Sequence, residues 1–228
     1  MNNRALKQIY RKTKSRNLQF SHVCEVGVYL PETSNIVDYI KEGTRATLVE
    51  ADPETVLKIR DYFKNDQVTL HPVAVWDTPG TLQLSKAAAS TFATDLKVSP
   101  AIVNDNYNTA AASTFTVPCK VFSEIDDGTI DLMSVDIEGG EWYVIKHMKS
   151  LPKVISVETH GKYYTNPFIG EISQWMSDRG YIVWFKDASD TVFVQQALLT
   201  PSLADKIGTS LSELKITWKK LKRAVRGR

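Results

Sequence analysis

Four short apolar runs in this sequence each end in acidic or imidazole-bearing residues. Val23-Cys24 leads into Glu25-Val26-Gly27, Ala46 to Val49 into Glu50-Ala51-Asp52-Pro53, Ile130 to Val135 into Asp136-Ile137-Glu138-Gly139-Gly140-Glu141, and Val154 to Val157 into Glu158-Thr159-His160-Gly161. In an open parallel α/β sheet, ligands bind in the crevice beyond the carboxyl ends of the strands. Acids repeated along that edge make a nucleoside-binding and catalytic pattern. Glu25 offers a carboxylate to a ligand ammonium or hydroxyl, and Gly27 lets the backbone come close. A dinucleotide site would continue as G-x-G-x-x-G, whereas Val28, Tyr29, Leu30 and Pro31 follow Gly27. Without a glycine cradle for a pyrophosphate, a phosphate-free cofactor is favoured over NAD or FAD. Glu50 stands 23 positions beyond Gly27, near the roughly 20 expected of a carboxylate that takes both hydroxyls of an adenosine ribose. This pairing suits S-adenosylmethionine, with Ala51 beside the ribose carboxylate and Ala74-Val75, ahead of Trp76-Asp77, where an adenine would lie. Asp52 before Pro53 reads as a helix N-cap.

These residues need a scaffold, and the pattern supplies one. Arg4 to Asn17 has helical spacing, strand 22–28 follows, and Ile36, Val37 and Ile40 mark a helix over 32–41 that Gly43 ends. Strand 45–50 leads into a helix from Pro53, with Val56, Leu57, Ile59, Tyr62 and Phe63 as its buried face. Strand 67–75 completes a β-α-β-α-β run, which implies a largely parallel sheet with right-handed crossovers. A short strand 81–84 comes after the turn at Asp77-Thr78-Pro79-Gly80. Residues 86–116, rich in Ala, Ser, Thr and Asn, lack a clear period and read as a substrate-side flap. Strands 117–122, 130–136 and 154–159, helices 140–149 and 168–179, and a hairpin of 181–185 with 191–196 complete the domain. The expected division is a basic N-terminal helix (1–20), a catalytic domain (21–200) and a basic amphipathic C-terminal helix (201–228).

At 228 residues, 43% hydrophobic and 24% charged, the chain suits one well-packed domain and excludes wholesale disorder. No apolar run is long enough to cross a bilayer, and the basic start lacks the apolar stretch of a secretory signal, so a cytoplasmic site is expected. Cys24 and Cys119 match neither a disulfide framework nor a metal spacing. Residues 1–16 hold six bases and residues 215–228 seven, with no acid in either. The body between therefore carries 15 bases against 26 acids, a net −11. An acidic body argues against a nucleic-acid-binding face on the globular part, while the cationic ends suit an anionic surface such as membrane headgroups or RNA.

Taken together, Glu25-Val26-Gly27, Val49 to Glu54, Pro72 to Asp77 and Ile130 to Glu141 resemble the FkbM-type S-adenosylmethionine-dependent methyltransferases, over about residues 20–196. The Asp136-x-Glu138-Gly139-x-Glu141 segment is the most diagnostic piece. The resemblance implies a Rossmann-like class I α/β fold: a mostly parallel seven-stranded sheet with a terminal antiparallel hairpin and helices on both faces. It also implies methyl transfer to a hydroxyl, often on a sugar or polyketide. That family commonly has Asp at the place of Glu25 and Gly-Ala-Asn after it, where this chain has Gly27-Val28-Tyr29.

Methyl transfer from a sulfonium is an in-line displacement that requires positioning of the acceptor and removal of its proton. Asp136, Glu138, Glu158 and His160 are the candidates, with His160 or Asp136 as general base and Glu158 orienting its neighbour. Asp136 also belongs to the cofactor-binding set of Glu25, Gly27, Glu50, Ala51, Ala74 and Val75. Alternatively, Asp136, Glu158 and His160 bind a divalent cation that polarises a diol. Glu141 reads as a first-turn helix residue whose charge suits the dipole. At the C-terminus, Ser210-x-x-Glu213 reads as a capping box. Leu211, Leu214, Trp218, Leu221 and Val225 form a stripe among bases, fit either to pack on the body or to lie on an anionic membrane. The expected acceptor is a carbohydrate or glycolipid. The competing readings are an RNA methyltransferase, which lacks support from any Asn/Asp-Pro-Pro-aromatic motif, and a non-catalytic nucleoside-binding scaffold.

Overall fold

The computed structural model describes residues 6–87, 90–94, 96, 103, 113–161 and 163–225. In chain order the first half comprises α1 (Gln8–Ser15), β1 (His22–Val26), α2 (Val37–Lys41), β2 (Arg45–Val49), α3 (Pro53–Tyr62), β3 (Val68–His71), β4 (Ala74–Val75), β5 (Gly80–Ala87) and β6 (Ser90–Ala93). The second half comprises β7 (Ser113–Lys120), β8 (Leu132–Val135), α4 (Glu141–Ile145), β9 (Val154–Glu158), α5 (Ile169–Asp178), β10 (Tyr181–Lys186), β11 (Asp190–Gln195) and α6 (Leu203–Val225).

Seven strands form one sheet in the order β10-β11-β9-β8-β1-β2-β3, parallel except for β11, which runs against both of its neighbours. The central strands β1, β8 and β9 are buried at every residue, which is why their sequences are mostly apolar on both faces rather than alternating. Helices cover both faces. Ile9, Tyr39, Ile40 and Ile59 of α1 to α3 pack with Val23, Leu132 and Val154 on one side. On the other, Val144, Ile145, Ile172 and Met176 of α4 and α5 pack with Cys24, Met133 and Ile155. Strand order reverses between β1 and β8, because the chain winds outward through β2 and β3 and returns on the far side of β1. Such a switch point opens a crevice at the carboxyl edge.

Several expectations are corrected. The helix foreseen over 32–41 is a 3-10 turn, Pro31–Thr33, and the shorter α2, because Ser34 and Asn35 between them turn their polar groups to Glu25. The strand foreseen over 67–75 breaks at Pro72, which has no N–H for a ladder. Its second piece, β4, leaves the main sheet and pairs with β7 in a four-stranded sheet ordered β4-β7-β5-β6. Much of the described part of the foreseen flap is strand: β5 extends to Ala87, β6 occupies 90–93 and β7 begins at Ser113. Phe115, Val117 and Cys119 alternate with Thr114, Thr116 and Pro118, and their side joins Leu82, Leu84 and Ala93 in a third apolar cluster. The remainder of that segment lies outside the described residues. In α3, Val56, Ile59 and Phe63 are buried, but Leu57 is 65% exposed and Tyr62 faces outward with it. The last helix starts at Leu203 and is capped by Ser202 and Asp205, each accepting the other's backbone N–H, so Ser210 is internal to it.

Candidate active site

A cavity of about 530 Å³ follows the carboxyl edge of the main sheet from the end of β2, past β1 and β8, to the start of β11. That size is ordinary for a small-molecule site. Residues of the four-stranded sheet, among them Leu82, Leu84, Lys86 and Ala93, form a further wall.

The turn after β1 depends on Gly27. Its φ is +85°, its N–H donates to the Val49 carbonyl at 2.9 Å, and a Cβ there would stand 1.8 Å from the Asp136 carbonyl oxygen. Glycine therefore lets the β1 turn lie directly against the end of β8. Glu50, one residue past β2, accepts the backbone N–H groups of Val28 at 2.9 Å and Asp52 at 2.7 Å. A carboxylate has about four acceptor positions, so Glu50 retains capacity for a ligand. Burial pushes its pKa up to about 7, while these N–H donors pull the other way. Asp52 caps α3 through the Glu54 N–H at 2.9 Å, as the sequence suggests. It also pairs at 2.7 Å with Lys86, which reaches Glu54 as well and ties the second sheet to the start of α3.

Glu25 is buried, and its carboxylate accepts from the Ser34 hydroxyl and, at 2.9 Å, from the Asn35 N–H. Burial lifts its pKa to about 7 as well. It lines the cavity and at the same time shapes the break before α2. Ala51, Ala74 and Val75 line the same wall, next to Trp76, whose ring lies 4.3 Å from that of Tyr143.

At the far side, Asp136 and Glu138 line the cavity with Asp187, Ser189 and Asp190. Glu138 adopts φ +58°, one of two described non-glycine residues at positive φ. Glu141 opens α4, but its carboxylate turns back rather than outward. One oxygen accepts the N–H groups of Ile137 at 2.9 Å and Gly139 at 3.0 Å, and the other accepts from Asn166. Oxygens of Asp136, Glu141 and Glu158 all lie within 4.8 Å of one another. The Asp136 pKa is driven well up by burial and then by the neighbouring acids, and that of Glu158 likewise by burial and by Asp136 and Glu141.

His160 is not brought to the cavity wall. It is buried, with Nδ1 at 2.9 Å from the Thr159 hydroxyl and Nε2 at 3.3 Å from the Asp187 carbonyl. The position that the sequence suggested for it in the carboxylate cluster is taken by Glu141. Residues missed by the sequence reading include Asp190, which accepts from Ser156 and Ser189 at 2.8 Å each and is held near pKa 6 by burial. Its signal was hidden because it begins an antiparallel strand instead of ending a parallel one. Lys7 and Lys86 also line the cavity and came from segments with no motif.

Over residues 25–183 the sequence matches the family described as the methyltransferase FkbM domain. The chain belongs to the FkbM methyltransferase family. Methyltransferases of this kind draw on S-adenosylmethionine, and the FkbM match spans every strand-end motif named above. No curated protein matches the chain. Among solved structures, the methyltransferase domain of bacterial CtHen1 is similar in two forms. One is 13% identical, with a TM-score of 0.42, and the other 11%, with 0.43; each match covers 82% of this chain and 94% of the other. The precorrin-6y C5,15-methyltransferase from Geobacter metallireducens GS-15 is 17% identical, with a TM-score of 0.38, over 85% of this chain and 90% of that one.

Proposed function

We propose that this FkbM-family protein methylates a hydroxyl of a carbohydrate or glycoconjugate, with S-adenosylmethionine as donor. The observation that carries this reading is the cavity's composition. Among the described residues, eight acidic side chains line it against three lysines. Carboxylates accept hydrogen bonds from a polyhydroxylated acceptor and repel phosphodiesters, which favours a sugar over RNA.

The donor end fits the residues present. Glu50 would take the ribose hydroxyls with its remaining acceptor positions, Ala74, Val75 and Trp76 would face the base, and Lys7 and Asp190 carry the opposite charges that an amino-acid zwitterion needs. When bound, S-adenosylmethionine supplies an electrophilic methyl group on a sulfonium. The chain's part is to orient the acceptor hydroxyl and accept its proton. Asp136 is favoured over His160 for that role, because it lines the cavity and His160 does not. Burial and the neighbouring acids raise the Asp136 pKa above that of a solvated aspartate, which makes its ionised carboxylate the stronger base.

The test is release of S-adenosylhomocysteine, followed by mass spectrometry of the acceptor, across sugars, sugar-lipids, RNA and protein. A methylated sugar hydroxyl is expected, and Asp136→Asn should lower kcat by about 100-fold or more. Methylation of RNA alone, or full activity in Asp136→Asn, would overturn the assignment. Failure to bind the donor in calorimetry would instead favour a non-catalytic scaffold.

A further inference from the structure

We propose that Asp136, Glu141 and Glu158 bind one divalent cation of the hard, oxygen-preferring class, magnesium or manganese. Their carboxylate oxygens lie within 4.8 Å of one another. Magnesium holds oxygen ligands at about 2.0–2.1 Å, so opposite ligands of one ion stand about 4 Å apart. The three oxygens, within 4.8 Å of one another, need draw together by less than about 1 Å to share one coordination shell.

The cluster alone would not make the case, and Glu158 adds a separate observation. Its side chain is 7% exposed, and its Oε2 is fully enclosed with no hydrogen-bond partner among the described residues. A buried carboxylate with an unpartnered oxygen, set beside two other carboxylates, is unstable until a proton or a cation joins it. None of the three acids forms an ion pair with a described lysine or arginine. The ligands come from the end of β8, the start of α4 and the end of β9, and Glu141 is fixed by Ile137, Gly139 and Asn166. Asp136 borders the cavity, so a ligand position on that side is open to an acceptor hydroxyl. The cation's part in catalysis rests on the proposed methyl transfer, whereas its binding does not.

The experiment is a manganese titration of chelator-treated full-length protein, read by electron paramagnetic resonance and by calorimetry with magnesium competition. One equivalent per chain is expected, weakened about tenfold or more in Glu158→Gln and unchanged in Glu32→Gln on the surface. Absence of saturable binding by folded wild-type protein overturns the site, as does unchanged manganese affinity in a folded Glu158→Gln variant. Donor binding measured in chelator separates the two ideas. Donor without manganese removes the cation and leaves the methyltransferase, and manganese without any hydroxyl methylation does the reverse.

A different observation supports a second proposal, that α6 lies on an anionic lipid bilayer. Leu203, Ile207, Leu211, Leu214, Trp218 and Leu221 recur at helical spacing on one side of α6 and are 51–75% exposed. The helix is tied to the body by its polar residues, Asp205 to Lys12 at 2.5 Å and Arg16 at 3.1 Å, and Glu213 to Lys186 at 3.1 Å. The alternative of a stripe packed inward is therefore corrected for Leu211, Leu214, Trp218 and Leu221. Seven bases and no acid lie in 215–228. A second copy of this helix would bring like charges together, whereas anionic headgroups complement them. Full-length protein should co-sediment with vesicles containing phosphatidylglycerol and not with phosphatidylcholine alone, and Leu214→Glu/Trp218→Glu should cut the bound fraction at least about tenfold. Equal pelleting with and without vesicles overturns it, as does a dimer in sedimentation equilibrium that the same variant dissociates.

Discussion

At the scale of single residues, Gly27 is the least replaceable position at the sheet edge. Alanine there would combine a left-handed backbone with a methyl group 1.8 Å from the Asp136 carbonyl, so β1 and β8 would have to separate. Gly27→Ala is expected to cost more than about 4 kcal/mol or to prevent folding, measured by urea denaturation. The buried acids set a pH dependence of definite sign. Glu25 and Glu50 are raised from 4.5 to about 7, chiefly by burial. Each binds its proton more tightly in the folded chain, so its contribution is complete below pH 4.5 and is lost as pH rises through 7. The ligand-free protein should lose up to roughly 3 kcal/mol per group across that window. Donor affinity should run oppositely, because ribose hydroxyls prefer an ionised Glu50. Melting temperatures and calorimetry from pH 5 to 7.5 check both, and a flat profile in both would contradict the assignment of these carboxylates.

At the scale of elements, α3 carries both a cap and a tie. Asp52→Ala removes the N-cap and one partner of Lys86, and about 1–2 kcal/mol of stability should go with it, measured by urea denaturation. Asp52 was legible beforehand because capping is local: an acid, then proline, then an amphipathic period. The parallel strands were legible for the same reason, since continuous apolar runs ending in acids need no knowledge of partners. What escaped was set by distant contacts. The helix over 32–41 is broken by Glu25 of β1, and β4 is claimed by β7, more than 40 residues away in sequence. The strand foreseen from 117 begins earlier, at Ser113, because Leu84 and Lys86 of β5 stand opposite Phe115 and Ser113. At the site, Glu50, Asp136 and Glu158 followed from strand ends, while Glu141 was read by its helix position and its carboxylate points the other way.

At the scale of the whole molecule, the first helical segment meets the start of the last helix. Lys12 and Arg16 of the first helical segment converge on Asp205 at the start of α6, so chain termini 189 or more residues apart share one ion-pair cluster. Burial opposes ionisation of Asp205, but the hydrogen bonds from Lys12 and Ser202 outweigh it and hold its pKa far below the usual 3.8. Stability from this group is present above pH 3.8 and is lost as pH falls below that value. Asp205→Asn should destabilise the protein at neutral pH by about 1–3 kcal/mol and flatten its acid limb, with faster hydrogen exchange at the start of α6.

Because β11 alone runs against its neighbours, its first residue, not its last, stands at the ligand edge. Asp187 to Ser189, the turn that delivers Asp190, is held at the end of β9, where the Thr159 and His160 N–H groups donate to the Ser189 carbonyl at 3.1 and 3.0 Å. Lengthening or shortening it would reshape the wall beside Asp136 and leave the edge at β1 and β2 in place. On the proposed reaction, a change of acceptor would then call for a new hairpin tip rather than a rebuilt sheet.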